Sequence, residues 1–195
     1  MATSSILALD VAGTPRKWID YDTAVCYHAK DLVAWSLGEK VVLYRGGYNK
    51  ATNERSIIES PSIIAVKGTD FIPAKFAKVA LTNRALFARD RQLCAYCGKR
   101  LESRHLSRDH IVPISRGGLN KWTNVVTACR RCNTHKNDQT LDECGMKLIY
   151  VPYVPSHHEN LILQNRHILV DQMEYLLTGV PKHSRIWEDL KNKVI

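Results

Sequence analysis

Two short stretches of the 195-residue chain hold residues whose types and spacing can do chemistry. The first is a pair of CxxC motifs, CAYC (Cys94, Cys97) and CRRC (Cys129, Cys132). Each can fold as a tight knuckle that presents two thiolates to one ion. Together they complete a tetrahedral shell with no open position, which is the chemistry of a structural zinc. The 31 residues between Cys97 and Cys129 make a wide gap, but loop-closure entropy grows only logarithmically with length, so the gap holds something worth clamping. The other two cysteines, Cys26 and Cys144, stand alone and read as buried small residues or free thiols. The second stretch is RDHIVPISRGG, residues 108–118, which sets Asp109 beside His110 at the end of a strand-like run. Neighbours on a strand point to opposite faces, so the pair is not a simple side-chain ion pair and each member needs its own partner.

The elements between the knuckles follow from apolar runs and turn residues. Residues 104–113 read as a strand, 114–123 as a loop, 124–129 as a second strand and 130–140 as a helix, pinned at both ends by the cysteines. Upstream, 6–11, 40–44 and 61–66 read as strands, and 21–38 as a helix stopped by Gly38. A basic amphipathic helix or helix pair is expected over 74–90, offering Lys75, Lys78, Arg84 and Arg89 to phosphates, and helices over 161–177 and 184–195. The expectation is an α+β fold in three segments. These are an N-terminal α+β region (1–73), a basic helix with the cysteine-clamped module (74–140), and a helical C-terminal region (141–195).

Charge singles out the same segment. Residues 75–136 carry 14 Lys and Arg against three acids, a net +11 where the whole chain has +9, so the rest is net −2. A basic segment between slightly acidic ones fits a polyanion better than a generally basic surface. No apolar run approaches the 18 or so residues of a membrane span, and MATSSILALD lacks the basic and apolar regions of a secretory signal. An unexported, cytoplasmic protein is expected, a setting in which paired CxxC motifs favour zinc over disulfides. His28 reads as a partly buried helix residue, His105, His157 and His158 have no companions at ligand spacing and read as structural or exposed, and Trp122 reads as a packing residue in preference to a stacking platform.

CAYCG, RDHIVPISRGG and TNVVTACRRCNTHK, within residues 90–140, together resemble the HNH nucleases, in particular their zinc-braced bacterial and phage members. The interval of 14 residues from His110 to Asn124 and of nine from Asn124 to Asn133 is part of that resemblance. It implies a ββα-metal module, clamped here by Cys94, Cys97, Cys129 and Cys132, that binds one catalytic divalent cation. On this reading Asp109 and Asn133 supply oxygen ligands to Mg²⁺ or Mn²⁺, and His110 is the general base, its ordinary pKa of about 6.5 suiting that task. Asn124 ties the loop between the strands and so orients His110. Many members of the family have His where this chain has Asn133, and His135 lies nearby. On a helix, 133 and 135 are about 200° apart, whereas Cys129, Cys132, Asn133 and Lys136 share a face, so Asn133 is the expected ligand. Arg108, Arg116, Arg130, Arg131 and Lys136 are the expected phosphate contacts. The implied activity is metal-dependent endonucleolytic or nicking cleavage of DNA, leaving 5′-phosphate and 3′-hydroxyl ends. A non-catalytic zinc-stabilised DNA-binding protein and an RNA-directed nuclease are the alternatives.

Overall fold

The computed structural model describes residues 5–68, 79–165, 167–182 and 184–192. The chain forms two compact units, Val79–Ser156 and one assembled from Met1–Lys78 with His157–Ile195. Compactness therefore groups the chain differently from the three sequence segments, because the C-terminal helices pack on the N-terminal sheet.

That sheet has the order β2-β1-β4-β3, with β1 (Ile6–Leu9) parallel to β4 (Arg55–Val66) and antiparallel to β2 (Pro15–Ile19), and β3 (Val33–Tyr48) antiparallel to β4. Its two faces explain the continuous apolar runs ILAL and IIAV. Ile6, Ala8, Ile64 and Val66 pack against Ala24 of α1 (Tyr21–Ala29), while Leu7, Leu9, Ile63 and Ala65 pack against Leu161 and Leu176. Strands covered on both sides read as unbroken hydrophobic stretches. The last two residues belong to α5 (His157–Gln164) and α6 (Val170–Leu177). On α6, the buried Gln172 amide donates to the backbone oxygens of Ser5 and Ser62, both at 2.9 Å.

The helix expected over 21–38 ends at Ala29. Asp31 takes a left-handed φ of 52°, which short polar side chains tolerate, and Val33 onward is recruited to β3. The helix expected over 161–177 is divided between α5 and α6, and the last helix, α7, spans Ile186–Asn192.

In the second unit, α2 covers Asn83–Arg89, with Thr82 capping its N-terminus by accepting from Ala85 N–H. This is the end of the helix expected over 74–90, and residues 74–78 lie outside the described ones. Next come β5 (Leu106–His110), a loop, β6 (Val125–Cys129) and α3 (Arg130–Lys136), which make a ββα unit, followed by a single turn, α4 (Leu141–Cys144). Leu86, Phe87, Leu106, Trp122 and Val125 form its main core. Trp122 is a packing residue, its indole N–H donating to Val79 O at 2.9 Å.

Arg89 is not offered to phosphates. It is 1% exposed, and its five N–H groups are all used. Nε and Nη2 donate to Asp90, Nη1 to Trp122 O and Tyr153 O, and Nη2 also to Val125 O, at 2.8–3.1 Å. Asp90 in turn accepts from Thr127 N–H at 2.8 Å. Arg89→Met would take the guanidinium away from the Asp90 carboxylate and from three carbonyls inside the core. It should lower the unfolding free energy by about 3–5 kcal/mol in urea titrations. Arg89→Lys should recover little of this, since an ammonium cannot reproduce the guanidinium fork.

Candidate active site

The four knuckle cysteines converge. Their sulfurs all lie within 4.8 Å of one another, and Cys97 and Cys129 Sγ are 4.0 Å apart. Tetrahedral zinc–thiolate bonds of about 2.3 Å require sulfurs about 3.8 Å apart, so the donor set fits such an ion. The first knuckle is a small hairpin closed by the Leu93/Arg100 bridge, with Gly98 N–H donating to Cys94 O at 3.0 Å, and Ala95 N–H ties it to Thr127 O on β6 at 2.8 Å. The second straddles the β6–α3 junction, where Cys129 Sγ accepts from Cys132 N–H at 3.4 Å. Burial opposes ionisation of Cys94, yet the amides of Cys129, Cys97 and Tyr96 and the Cys97 thiol pull it down to about 7, whereas burial and the neighbouring sulfurs push Cys132 up. Thiolates this close repel one another unless a cation sits among them.

β5 and β6 pair antiparallel with Asp109 opposite Val126 and His110 opposite Val125. The loop that follows is fixed by Asn124, which is 6% exposed. Its side-chain oxygen accepts from Val112 N–H, and its Nδ2 donates to Val112 O and Leu119 O, at 2.9–3.0 Å. The double glycine is needed here. Gly117 has a φ of 83°, and a Cβ at Gly118 would run into the Val112 carbonyl.

Asp109 is buried at 5% exposure, and both its oxygens have donors. The Tyr96 hydroxyl donates to Oδ2, and Lys136 Nζ donates to Oδ1 at 3.2 Å and to His110 O at 2.7 Å. Burial first, then the Asp109 carboxylate, push the Tyr96 phenol far above its ordinary range, so the phenol stays protonated and is the donor. The expected exposed phosphate contact Lys136 is thus an internal counter-ion, 0% exposed. Asn133 sits on the α3 face toward β5, its Nδ2 donating to Ser107 Oγ at 2.9 Å. Ser107 and Asp109 alternate onto one face of the strand, so Asn133 and Asp109 are on the side covered by α3. His135 is exposed. A carboxylate has about four lone-pair directions, and two at Asp109 are used. The remaining two, with the Asn133 side-chain oxygen, are hard oxygen donors of the kind that could hold a divalent cation.

His110 lies on the opposite face. Its Nε2 is 3.2 Å from Asn120 Oδ1, and Arg108 Nη1 donates to the same oxygen at 3.0 Å. A guanidinium cannot accept a hydrogen bond, so the amide must turn its oxygen to Arg108. That oxygen can only accept from Nε2–H, which leaves the lone pair of a neutral His110 on Nδ1. Arg108 also donates to Leu81 O at 3.2 Å and is half-buried, so it acts as a brace within the unit. Arg116 Nη1 is paired with Glu143 Oε1 at 2.6 Å, while Arg130 and Arg131 are exposed at the start of α3. Tyr96 and Asn120 were not singled out in the sequence. A tyrosine inside a CxxC loop and an asparagine after a glycine pair signal turn chemistry, and only the folded ββα unit brings them to Asp109 and His110.

Two strands and a helix pinned by a four-cysteine cluster define a zinc-braced ββα-metal fold. Residues 94–149 match the family model of the HNH endonucleases, a similarity confined to the unit that holds the four cysteines. No curated protein matches the chain. Among the described residues no helix is long and apolar enough to cross a membrane.

Proposed function

We propose that the protein is an intracellular metal-dependent DNA endonuclease or nickase that hydrolyses phosphodiester bonds to 5′-phosphate and 3′-hydroxyl ends. The observation that carries this is the division of labour at the end of β5, where a buried carboxylate faces α3 and a histidine, its Nε2 at Asn120 Oδ1, faces the other way. Phosphodiester hydrolysis needs a deprotonated water and positive charge on the phosphate oxygens. A divalent cation held by Asp109 and Asn133 would supply that charge. His110 Nδ1 takes the proton from water, while Asn120, braced by Arg108, holds the ring in the tautomer that leaves Nδ1 basic. Asn124 keeps the β5 end and its loop in register. Cys94, Cys97, Cys129 and Cys132 hold a structural zinc.

One observation favours a second reading. The Lys136–Asp109 pair already neutralises the carboxylate, as a zinc-stabilised DNA-binding module without catalysis would have it. Incubating the purified chain with DNA, RNA and hybrid duplexes, each with Mg²⁺, Mn²⁺ or chelator, separates the readings. Metal-dependent cleavage of DNA supports the proposal, binding without cleavage supports the module, and cleavage restricted to RNA supports an RNA-directed nuclease.

Arg130 and Arg131 are the exposed cations closest in sequence to the α3 ligand and serve as phosphate contacts. Replacing both by Ala should weaken binding to all DNA sequences and reduce the salt slope by about 1 to 2, since each phosphate contact releases roughly one counterion. An unchanged slope in fluorescence titrations would remove both from the interface.

A further inference from the structure

Tyr96 stands between Cys94 and Cys97, so the cysteine cluster fixes its backbone on both sides. Its neighbour Ala95 is bonded to Thr127 of β6, the residue next to Val126, which pairs with Asp109. From that place the phenol reaches Asp109 Oδ2, while Lys136 reaches Oδ1 from α3, the helix that the second knuckle opens. Each half of the clamp therefore sends one donor to the same carboxylate. Two donors from different directions fix both the position and the plane of the group, and leave its other lone pairs in a defined direction. Filling the space would require only the ring of Tyr96. The hydroxyl adds a bond to the one carboxylate that the reaction chemistry needs.

We propose that Tyr96 is a positioning residue whose hydroxyl orients Asp109 to receive the divalent cation, and so joins the four-cysteine clamp mechanically to the cation site. The proposal rests on Asp109 being a cation ligand. Groups that hydrogen-bond a metal ligand from behind set its orientation, and their loss typically weakens metal affinity about 10- to 100-fold. Without the phenol, Oδ2 loses its donor in a buried setting, and the carboxylate turns to find another.

The test uses the full chain with its zinc, and Mn²⁺ as the probe, read by electron paramagnetic resonance in the absence of nucleic acid. Wild type, Tyr96→Phe, Asp109→Asn and the double variant are compared, with zinc content and thermal unfolding measured on each. Tyr96→Phe should keep its zinc and a cooperative transition yet bind Mn²⁺ about 10- to 100-fold more weakly. Saturating Mn²⁺ should restore most of its cleavage rate, so that the metal dependence moves and the maximal rate does not. In the Asp109→Asn background, Tyr96→Phe should have no further effect on Mn²⁺. Wild-type Mn²⁺ affinity in Tyr96→Phe, an equal effect in both backgrounds, or loss of zinc would overturn the proposal. If wild type and Asp109→Asn bind Mn²⁺ alike, it is the assignment of Asp109 that fails, and the proposal with it.

Discussion

His110→Ala should lower the rate of DNA cleavage by about 10²- to 10⁴-fold, the usual range for loss of a general base, while zinc content and DNA affinity stay near wild type. The specificity of that pattern comes from where the ring sits. His110 is half-buried on the face of β5 away from the Asp109 side chain, and its Nε2 meets Asn120 Oδ1 in the loop, so its loss leaves the Asp109–Lys136 pair in place. Asp109→Ala should differ in kind. It strips Lys136 of its carboxylate and should weaken the proposed cation site, so added Mg²⁺ or Mn²⁺ should restore part of its activity and none of that of His110→Ala. His135→Ala is the control, since that side chain is exposed on α3 while Asn133 and Lys136 turn toward β5. Single-turnover cleavage with each variant checks the series. A His135→Ala variant as inactive as His110→Ala, with fold and zinc intact, would mean that Asn133 is not the ligand.

Cys97→Ser or Cys132→Ser should release the structural zinc and abolish cooperative unfolding of the Val79–Ser156 unit. Zinc binding to four thiolates contributes on the order of 10–16 kcal/mol near neutral pH, and in a small clamped unit that energy is folding energy. The core around the sulfurs is thin, with Cys94, Ala128 and Cys129 buried and Tyr96, Leu101 and Cys132 packed at its margin. A strong chelator should have the same effect on the wild-type chain. Elemental analysis alongside thermal unfolding measures both. Less than half an equivalent of zinc in carefully prepared, folded wild type would remove zinc from the account.

Much of the ββα unit was legible because its signals are local. CxxC spacing, the strand-like stretches read at 104–113 and 124–129, and the glycine pair each act within a few residues, and together they give the strand, loop, strand and helix that form. What escaped depends on residues far apart in the chain. Arg89 and Lys136 lie in a basic segment and read as phosphate-facing, yet each is buried because acceptors arrive from elsewhere, Trp122, Val125 and Tyr153 for one and Asp109 and His110 for the other. A charge count cannot distinguish a cation that meets solvent from one that meets a carbonyl 64 residues away. The helix over 21–38 was overextended for a related reason. Its periodicity continues past Ala29, but pairing with β4 outweighs helix propensity from Val33 onward. The C-terminal region is helical as expected, but the break between α5 and α6 was not read, and their apolar faces carry no mark of the sheet they cover.

Conversion of supercoiled plasmid by the purified chain, with Mg²⁺ or Mn²⁺ and with chelator, followed by mapping of the ends, tests the central claim most directly. Nicked or linear DNA that forms only with the divalent cation, bears 5′-phosphate and 3′-hydroxyl ends, and is lost in His110→Ala is the expected result. Plasmid that is bound but stays intact under every metal condition, or cleavage that His110→Ala performs as fast as wild type, would contradict it.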